Sequence, residues 1–359
     1  MTFSRTQFIF LFLLFIGISN HVLIIPQLLG EARRDAWFCV LVGYGILLIW
    51  IGIYSIILKK NKQRLPLRTW LQTRTGKGFA NFIMFCFMVY IMVISFISFF
   101  DLIAYINIYF LPNTALAFII LPFLLLCFWS AMNLRTIIYI SALILPLVAM
   151  LGYFVAFFTI DDKDYSYLFP LFVDEQSSFV GGVIVVLGGS VDLLILFLLQ
   201  QYFDKPISYL YLFLLLTLLV GLILGPTMGS LSAFGPNIAA DFRFPAFEQW
   251  RLVMIGEQIS HVDSMAVFQL LCGVIVRISL CLFLLSDLWK IQSAKVKKGF
   301  LITMTLFLGI AMYAPISDVE MQTILKNLFY PYAFIFGVCM TFLLLSISYL
   351  PERKRSQKL

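Results

Sequence analysis

Charge is what this chain has least of. Lys, Arg, Asp and Glu together make up 12% of its 359 residues, histidine occurs twice, and 62% of positions are hydrophobic. A soluble domain carries roughly 25% charged and 45–50% apolar residues, so a fold with a water-facing surface is excluded. Its six cysteines, Cys39, Cys86, Cys127, Cys272, Cys281 and Cys339, show no C-x-x-C spacing and no neighbouring histidine cluster. That pattern gives no basis for a disulfide framework or a metal site. There is no Walker loop, G-x-G-x-x-G, nucleophile elbow or H-E-x-x-H. The reading is therefore of a chain that is not an enzyme and needs no cofactor. No segment alternates apolar and polar residues as barrel strands do.

Long apolar runs are what the sequence does contain. A helix crosses a ~30 Å hydrocarbon core with about 20 residues, and ten such runs are legible, at about 7–29, 37–58, 79–108, 114–131, 136–160, 179–203, 207–229, 264–286, 299–314 and 327–349. These predict one all-α integral membrane domain over 1–359, with helices 1–5 in about 7–160 and 6–10 in about 179–349. The run starting at Arg5 has the length of a signal peptide but lacks an A-x-A-like cleavage site, and equally apolar runs follow it. It is read as span 1.

Basic residues set the orientation. With the N-terminus inside, 18 of the 25 Lys and Arg fall in inside segments and 6 outside, while 3 acidic residues lie inside and 13 outside. Lys59, Lys60, Lys62, Arg64, Arg68, Arg74 and Lys77 alone separate spans 2 and 3. The positive-inside rule then places both termini in the cytoplasm. The net charge of +7 reflects this topology and contact with anionic headgroups, with no need for nucleic acid. One long external segment, about 230–263, holds Pro245 and Glu248, which suit a first helical turn. Leu252, Val253 and Ile255 suggest a short surface helix there, serving as a lid or as a plain connector.

Three charges lie within spans, where each costs at least about 2.5–3.5 kcal/mol at the helix centre unless it meets a cavity or partner. Asp101, near the outer end of span 3, is placed to snorkel or to serve as a coupling or structural charge. Asp192 follows two Gly-Gly pairs in "GGVIVVLGGSVDLLILF". Each Gly costs about 1 kcal/mol relative to Ala in a helix interior, so Gly188 and Gly189 loosen span 6 near the midplane. Close packing through small residues is the other reading of the pairs. Arg277, in span 8, has three readings: counter-ion of Asp192, a cation standing where relatives bind sodium, or a side chain reaching the inner interface.

Span 1 carries a matching interruption in "LFIGISNHVLIIPQLLG": Gly17, Ser19, Asn20 and His21, followed by Pro26. Spans 1 and 6 each open a run of five, and an odd number of spans inverts the second half. Interrupted segments at matching places in inverted halves point to a midplane solute site. Freed main-chain groups, Asn20, His21 and Asp192 would suit a small zwitterion or a polyhydroxylated solute. His21 could equally be a hydrogen-bonded packing residue, and His261 is read as a surface residue.

The chain resembles the permease-like B subunits of spore germinant receptors, within the amino acid-polyamine-organocation superfamily. The resemblance is carried over the whole chain by "SRTQ" before span 1, "DAW" at Asp35 to Trp37, Gly-Gly-Ser-x-Asp at Gly188 to Asp192, and "FPAFEQWRLVMIGEQISHVDSM" before span 8. It implies a five-plus-five inverted-repeat fold with discontinuous helices 1 and 6. It implies A-type and C-type partner subunits in the spore inner membrane and a small nutrient ligand, an amino acid or sugar, whose recognition helps trigger germination. By the same resemblance Asp192 falls where an acidic residue is usual, and Asp263 on the aspartate that leads into span 8. Two departures concern the ligand: related permeases often carry a G-x-G-like break where this chain has Ser19, Asn20 and His21, and often an Arg near Asp263 where it has His261.

Three functions follow as expectations. A nutrient-sensing receptor subunit leads, a proton-coupled amino-acid transporter of the cell membrane is the alternative, and a structural scaffold without ligand is the third.

Overall fold

A segment in hydrocarbon must satisfy its main-chain hydrogen bonds internally, which leaves the helix as the form these apolar runs can take. The computed structural model describes residues 2–256, 262–289, 291 and 293–352. Its helices are α1 (Arg5–Phe15), α2 (Ile24–Ala32), α3 (Ala36–Lys60), α4 (Leu67–Thr75), α5 (Lys77–Tyr109), α6 (Leu116–Ala131), α7 (Leu134–Phe158), α8 (Phe179–Gly189), α9 (Ile195–Leu199), α10 (Tyr209–Phe234), α11 (Pro236–Asp241), α12 (Pro245–Glu248), α13 (Ser264–Leu288), α14 (Ala294–Ala311), α15 (Asp318–Ile324) and α16 (Tyr330–Tyr349). Phe3 and Phe203 form an isolated parallel β-bridge. Among the described residues seven segments are long and apolar enough to cross a membrane, the first of them the 56 residues Arg5–Lys60, and Leu116–Ala131 is a shorter apolar helix. The protein is a multi-pass helical membrane protein.

Local chemistry sets the ends of these elements. Ser4 caps α1 in a reciprocal box: its hydroxyl accepts from the Gln7 N–H at 3.3 Å while Gln7 Oε1 accepts from the Ser4 N–H at 2.9 Å. The "SRTQ" opening is thus a helix start. Phe3 then pins the N-terminus to the C-terminal end of span 6 through main-chain bonds with Tyr202 and Asp204. At the opposite end, Asp35 accepts from the Phe172 N–H and the Ser177 hydroxyl, and Trp37 donates to the Leu168 carbonyl. The "DAW" motif therefore ties the start of α3 to the loop that precedes α8.

Both expected interruptions are visible as changes of helix type. Between α1 and α2 the chain turns at Ile16 and runs through a π-helical stretch, Ser19–Leu23. Pro26 has no N–H to give to the Val22 carbonyl and its ring crowds that carbonyl, and a wider turn relieves both. In span 6, α8 gives way to a tighter 3₁₀ turn at Ser190–Leu194 before α9. The Gly-Gly pair that precedes this turn is a packing device. A Cβ on Gly188 would strike the Tyr330 main chain, and one on Gly189 would strike the Ile24 side chain. Gly182 lies against Ala32 and Cys39 in the same way, and Gly337 of α16 against Val191 and Trp50. Glycines thus bring span 6 close to α2, α3 and α16, as small residues do between membrane helices.

Two expected boundaries shift. α10 continues to Phe234, beyond the expected start of the external segment at 230. In that segment Pro245 and Glu248 do form a helical turn, α12, followed by a 3₁₀ turn at Gln249–Leu252. Val253 lies beyond these turns and is fully buried, so the expected surface helix over Leu252 to Ile255 does not form.

Candidate functional site

Asp192 sits in the 3₁₀ turn of span 6 and is 1% exposed. Its Oδ2 accepts from Arg277 Nη1 at 2.6 Å and its Oδ1 from the Tyr90 hydroxyl at 2.7 Å. Arg277, on α13 and 2% exposed, also donates through Nε to Ser98 Oγ at 2.7 Å and through Nη1 to the Phe15 carbonyl at 2.7 Å. The Phe15 ring lies 5.0 Å from the guanidinium carbon. Phe15 is the last residue of α1, and carbonyls at a helix end lack an intrahelical partner. One guanidinium therefore closes the end of α1 and neutralises the carboxylate in the span 6 turn. Of the sequence readings of Arg277, the pairing with Asp192 is present, and the side chain is buried and does not extend to an interface. The far end of the π stretch is closed likewise, by the Tyr330 hydroxyl donating to the Leu23 carbonyl at 3.0 Å.

The polar residues of span 1 face elsewhere. Asn20, 2% exposed, donates through Nδ2 to the Leu219 carbonyl of α10 at 3.1 Å, while its Oδ1 has no partner among the described residues. His21 reaches the Leu222 main chain, and its Nδ1 has no partner among the described residues. Together with Gly17 it borders a cavity of about 470 Å³ bounded by α1, α7, α10 and α13. A Cβ on Gly17 would lie 2.9 Å from Leu222 Cδ1. Ser19 is buried at 5%. The structure thus brings Asp192 and Arg277 together and brings Gly17 and His21 to a cavity on another side of the same break. Gly188 and Gly189 belong to neither, since they pack against Tyr330 and Ile24.

Asp101 does not snorkel. It is 1% exposed and takes a short ion pair from Arg243, whose Nε reaches both oxygens of Asp318 at 2.8 and 3.0 Å. Burial opposes the charge on Arg243, but the Asp101 and Asp318 carboxylates outweigh it and raise its pKa above the ordinary arginine value. This latch ties the segment that precedes α12 to α5 and α15, and aromatic rings fill the space beneath. Tyr105 lies 4.9 Å from Phe244 and 5.0 Å from Phe247, and Phe247 lies 6.5 Å from His21. Nearby, Tyr109 and Arg251 both donate to Glu248. Asp263 forms the N-terminal boundary of α13, and His261 lies outside the described residues.

Sequence reading did not name Tyr90, Ser98, Arg243, Asp318 or Gln269. Tyr90, Ser98 and Asp101 are spaced eight and three apart, which puts a polar stripe on one face of a helix. That signal was available. Arg243 carried none, because it lies in a segment with no period.

Similarity searches agree with this architecture. The family profile described as spore germination protein, a spore permease, matches residues 2–320. A relative from Bacillus anthracis, spore germination protein XB, is 31% identical over 341 residues, covering 94% of this chain and 95% of the relative.

Proposed function

The chain belongs to the spore germination protein family, and we propose that it serves as the permease-like subunit of a nutrient-germinant receptor, recognising a small nutrient at the breaks of spans 1 and 6. The observation that carries the reading is the single Arg277 side chain that holds the end of α1 and the Asp192 turn together. An amino-acid zwitterion has the same two charges as this pair. Its ammonium group would take the place of Arg277 at Asp192, and its carboxylate would take the guanidinium. Nutrient binding then trades an internal ion pair for two external ones and releases the end of α1. A ligand shifts an equilibrium only through unequal affinity for the two states, and this exchange supplies the inequality.

The same reading places ten spans in two inverted halves. Arg33, at φ 43°, divides Arg5–Lys60 into two crossings, which brings the seven segments to eight. Leu116–Ala131 and Ala294–Ala311 bring them to ten. Both termini lie in the cytoplasm, the membrane is the spore inner membrane, and A-type and C-type subunits receive the change.

Germination of spores carrying Asp192→Asn, scored against a nutrient panel with subunit abundance measured, tests the proposal. The expected result is a dose-response moved by about tenfold or more, equivalent to ~1.4 kcal/mol of lost ligand affinity, at normal abundance. An unchanged dose-response overturns the site, and loss of the subunit itself assigns Asp192 to folding instead.

A further inference from the structure

The cavity beside the span 1 break has no part in the ion-pair exchange. Its walls come from α1, α7, α10 and α13, and most of its lining is Leu, Val, Ala and Gly. Several lining residues on α7 and α10 lie on the outer face of the bundle: Tyr153 is 79% exposed and Leu218 41%. Gly221 and Gly225 are exposed on the same side, and a Cβ on either meets nothing within 4 Å. In a multi-pass membrane protein that face meets lipid, so the cavity opens sideways between α7 and α10. α1 is its floor.

An apolar recess of this kind needs only acyl chains to fill it, except for two groups. Gln269 of α13 is 7% exposed, borders the cavity, and its Oε1 has no hydrogen-bond partner among the described residues. His21 borders the same space, with no partner for Nδ1 among the described residues. A buried polar atom left unpaired costs about 1–3 kcal/mol, a penalty that a bound donor removes. The lining contains no carboxylate, and its one charged residue is Lys163. An ammonium therefore finds no counter-charge here, unlike at Asp192. A hydroxyl does fit, since it can donate its proton to the Gln269 oxygen.

We propose that this lateral cavity is a second ligand site, taking a small aliphatic molecule with one uncharged hydroxyl that partitions from the bilayer. The hydroxyl donates to Gln269 Oε1 on the side of the cavity that His21 also borders, and the apolar body lies between α7 and α10. The volume of about 470 Å³ falls within the ~300–1,000 Å³ of small-molecule sites. An occupant rests on Gly17 and Ile18, and so touches span 1 within three residues of the carbonyl that Arg277 holds.

The site is tested on the purified chain in lipid nanodiscs, with a C8 alcohol bearing a diazirine and with its methyl ether, which keeps the body and loses the donor. Photolabelling by the alcohol should fall on α1, α7 and α10 and be competed by unlabelled octanol. Gly221→Leu, which adds a side chain into open space, should reduce it about tenfold, equivalent to ~1.4 kcal/mol. Gln269→Leu, and the ether in place of the alcohol, should each reduce it about fivefold, the worth of one hydrogen bond. Equal labelling by alcohol and ether overturns the proposal and leaves a groove filled by lipid tails. Labelling that survives Gly221→Leu places the site elsewhere. Neither result bears on Asp192, so the nutrient site stands or falls separately.

Discussion

Removing one member of a buried ion pair costs more than removing both, because the survivor is left charged and unpaired. For Asp192 and Arg277 this predicts that Arg277→Met alone destabilises the protein by about 3–5 kcal/mol, whereas Asp192→Leu combined with Arg277→Met recovers most of that loss. Unfolding of the detergent-solubilised chain by increasing sodium dodecyl sulfate is the measurement, and equal losses in the single and double variants would contradict the pairing. Tyr90→Phe removes only the donor to Oδ1 and should cost about 1.5–3 kcal/mol. Asp192 and Arg277 were legible in the sequence because charge within an apolar run is conspicuous. Their partners were legible only in part: Tyr90 and Ser98 share a helix face with Asp101, but the stripe does not say what it meets, and Phe15 contributes only its carbonyl. Which polar groups meet is decided by how helices far apart in sequence lie against one another.

The Gly-Gly pair of span 6 carries a different lesson at the level of whole elements. Glycine in a helix weakens it locally, and from sequence alone Gly188 and Gly189 read either as a loosened stretch or as a close-packing surface. In the fold they are the surface on which α8 meets the Tyr330 main chain and α2. Gly188→Ala should therefore cost about 1–3 kcal/mol through overpacking. Gly45→Ala and Gly52→Ala in α3, where a Cβ meets nothing within 4 Å, should be neutral or gain up to about 1 kcal/mol from better helix propensity. Folded yield and resistance to unfolding across the three variants separate the two roles. If all three behave alike, the close approach of α8 and α16 is wrong. The interruption itself was legible at both breaks from Pro26 and the glycines, but not its form, because the wide and tight turns each differ from the α-helix by one residue per hydrogen-bonded ring and leave no compositional mark.

Across the whole molecule, the latch and the loop charges bind the fold to its orientation. Arg243 joins the segment that precedes α12 to α5 and α15 through Asp101 and Asp318, so Arg243→Ala should free residues 242–253. Amide exchange there should quicken about tenfold or more, the equivalent of ~1.4 kcal/mol of lost local stability. Replacing Asp101 with Asn in the same chain should recover part of the loss, because the buried carboxylate no longer lacks its cation. That segment is outside only if the basic loops are inside, which is the orientation the positive-inside rule expects from 18 Lys and Arg on one side against 6 on the other. With the native cysteines removed, a cysteine at Asp162 should react with a membrane-impermeant maleimide on right-side-out vesicles, and a cysteine at Lys62 only after lysis. Both positions are exposed, so accessibility within the fold does not confuse the result. The reverse pattern would put the latch on the cytoplasmic face, where no nutrient arrives, and would remove the orientation on which recognition from outside depends.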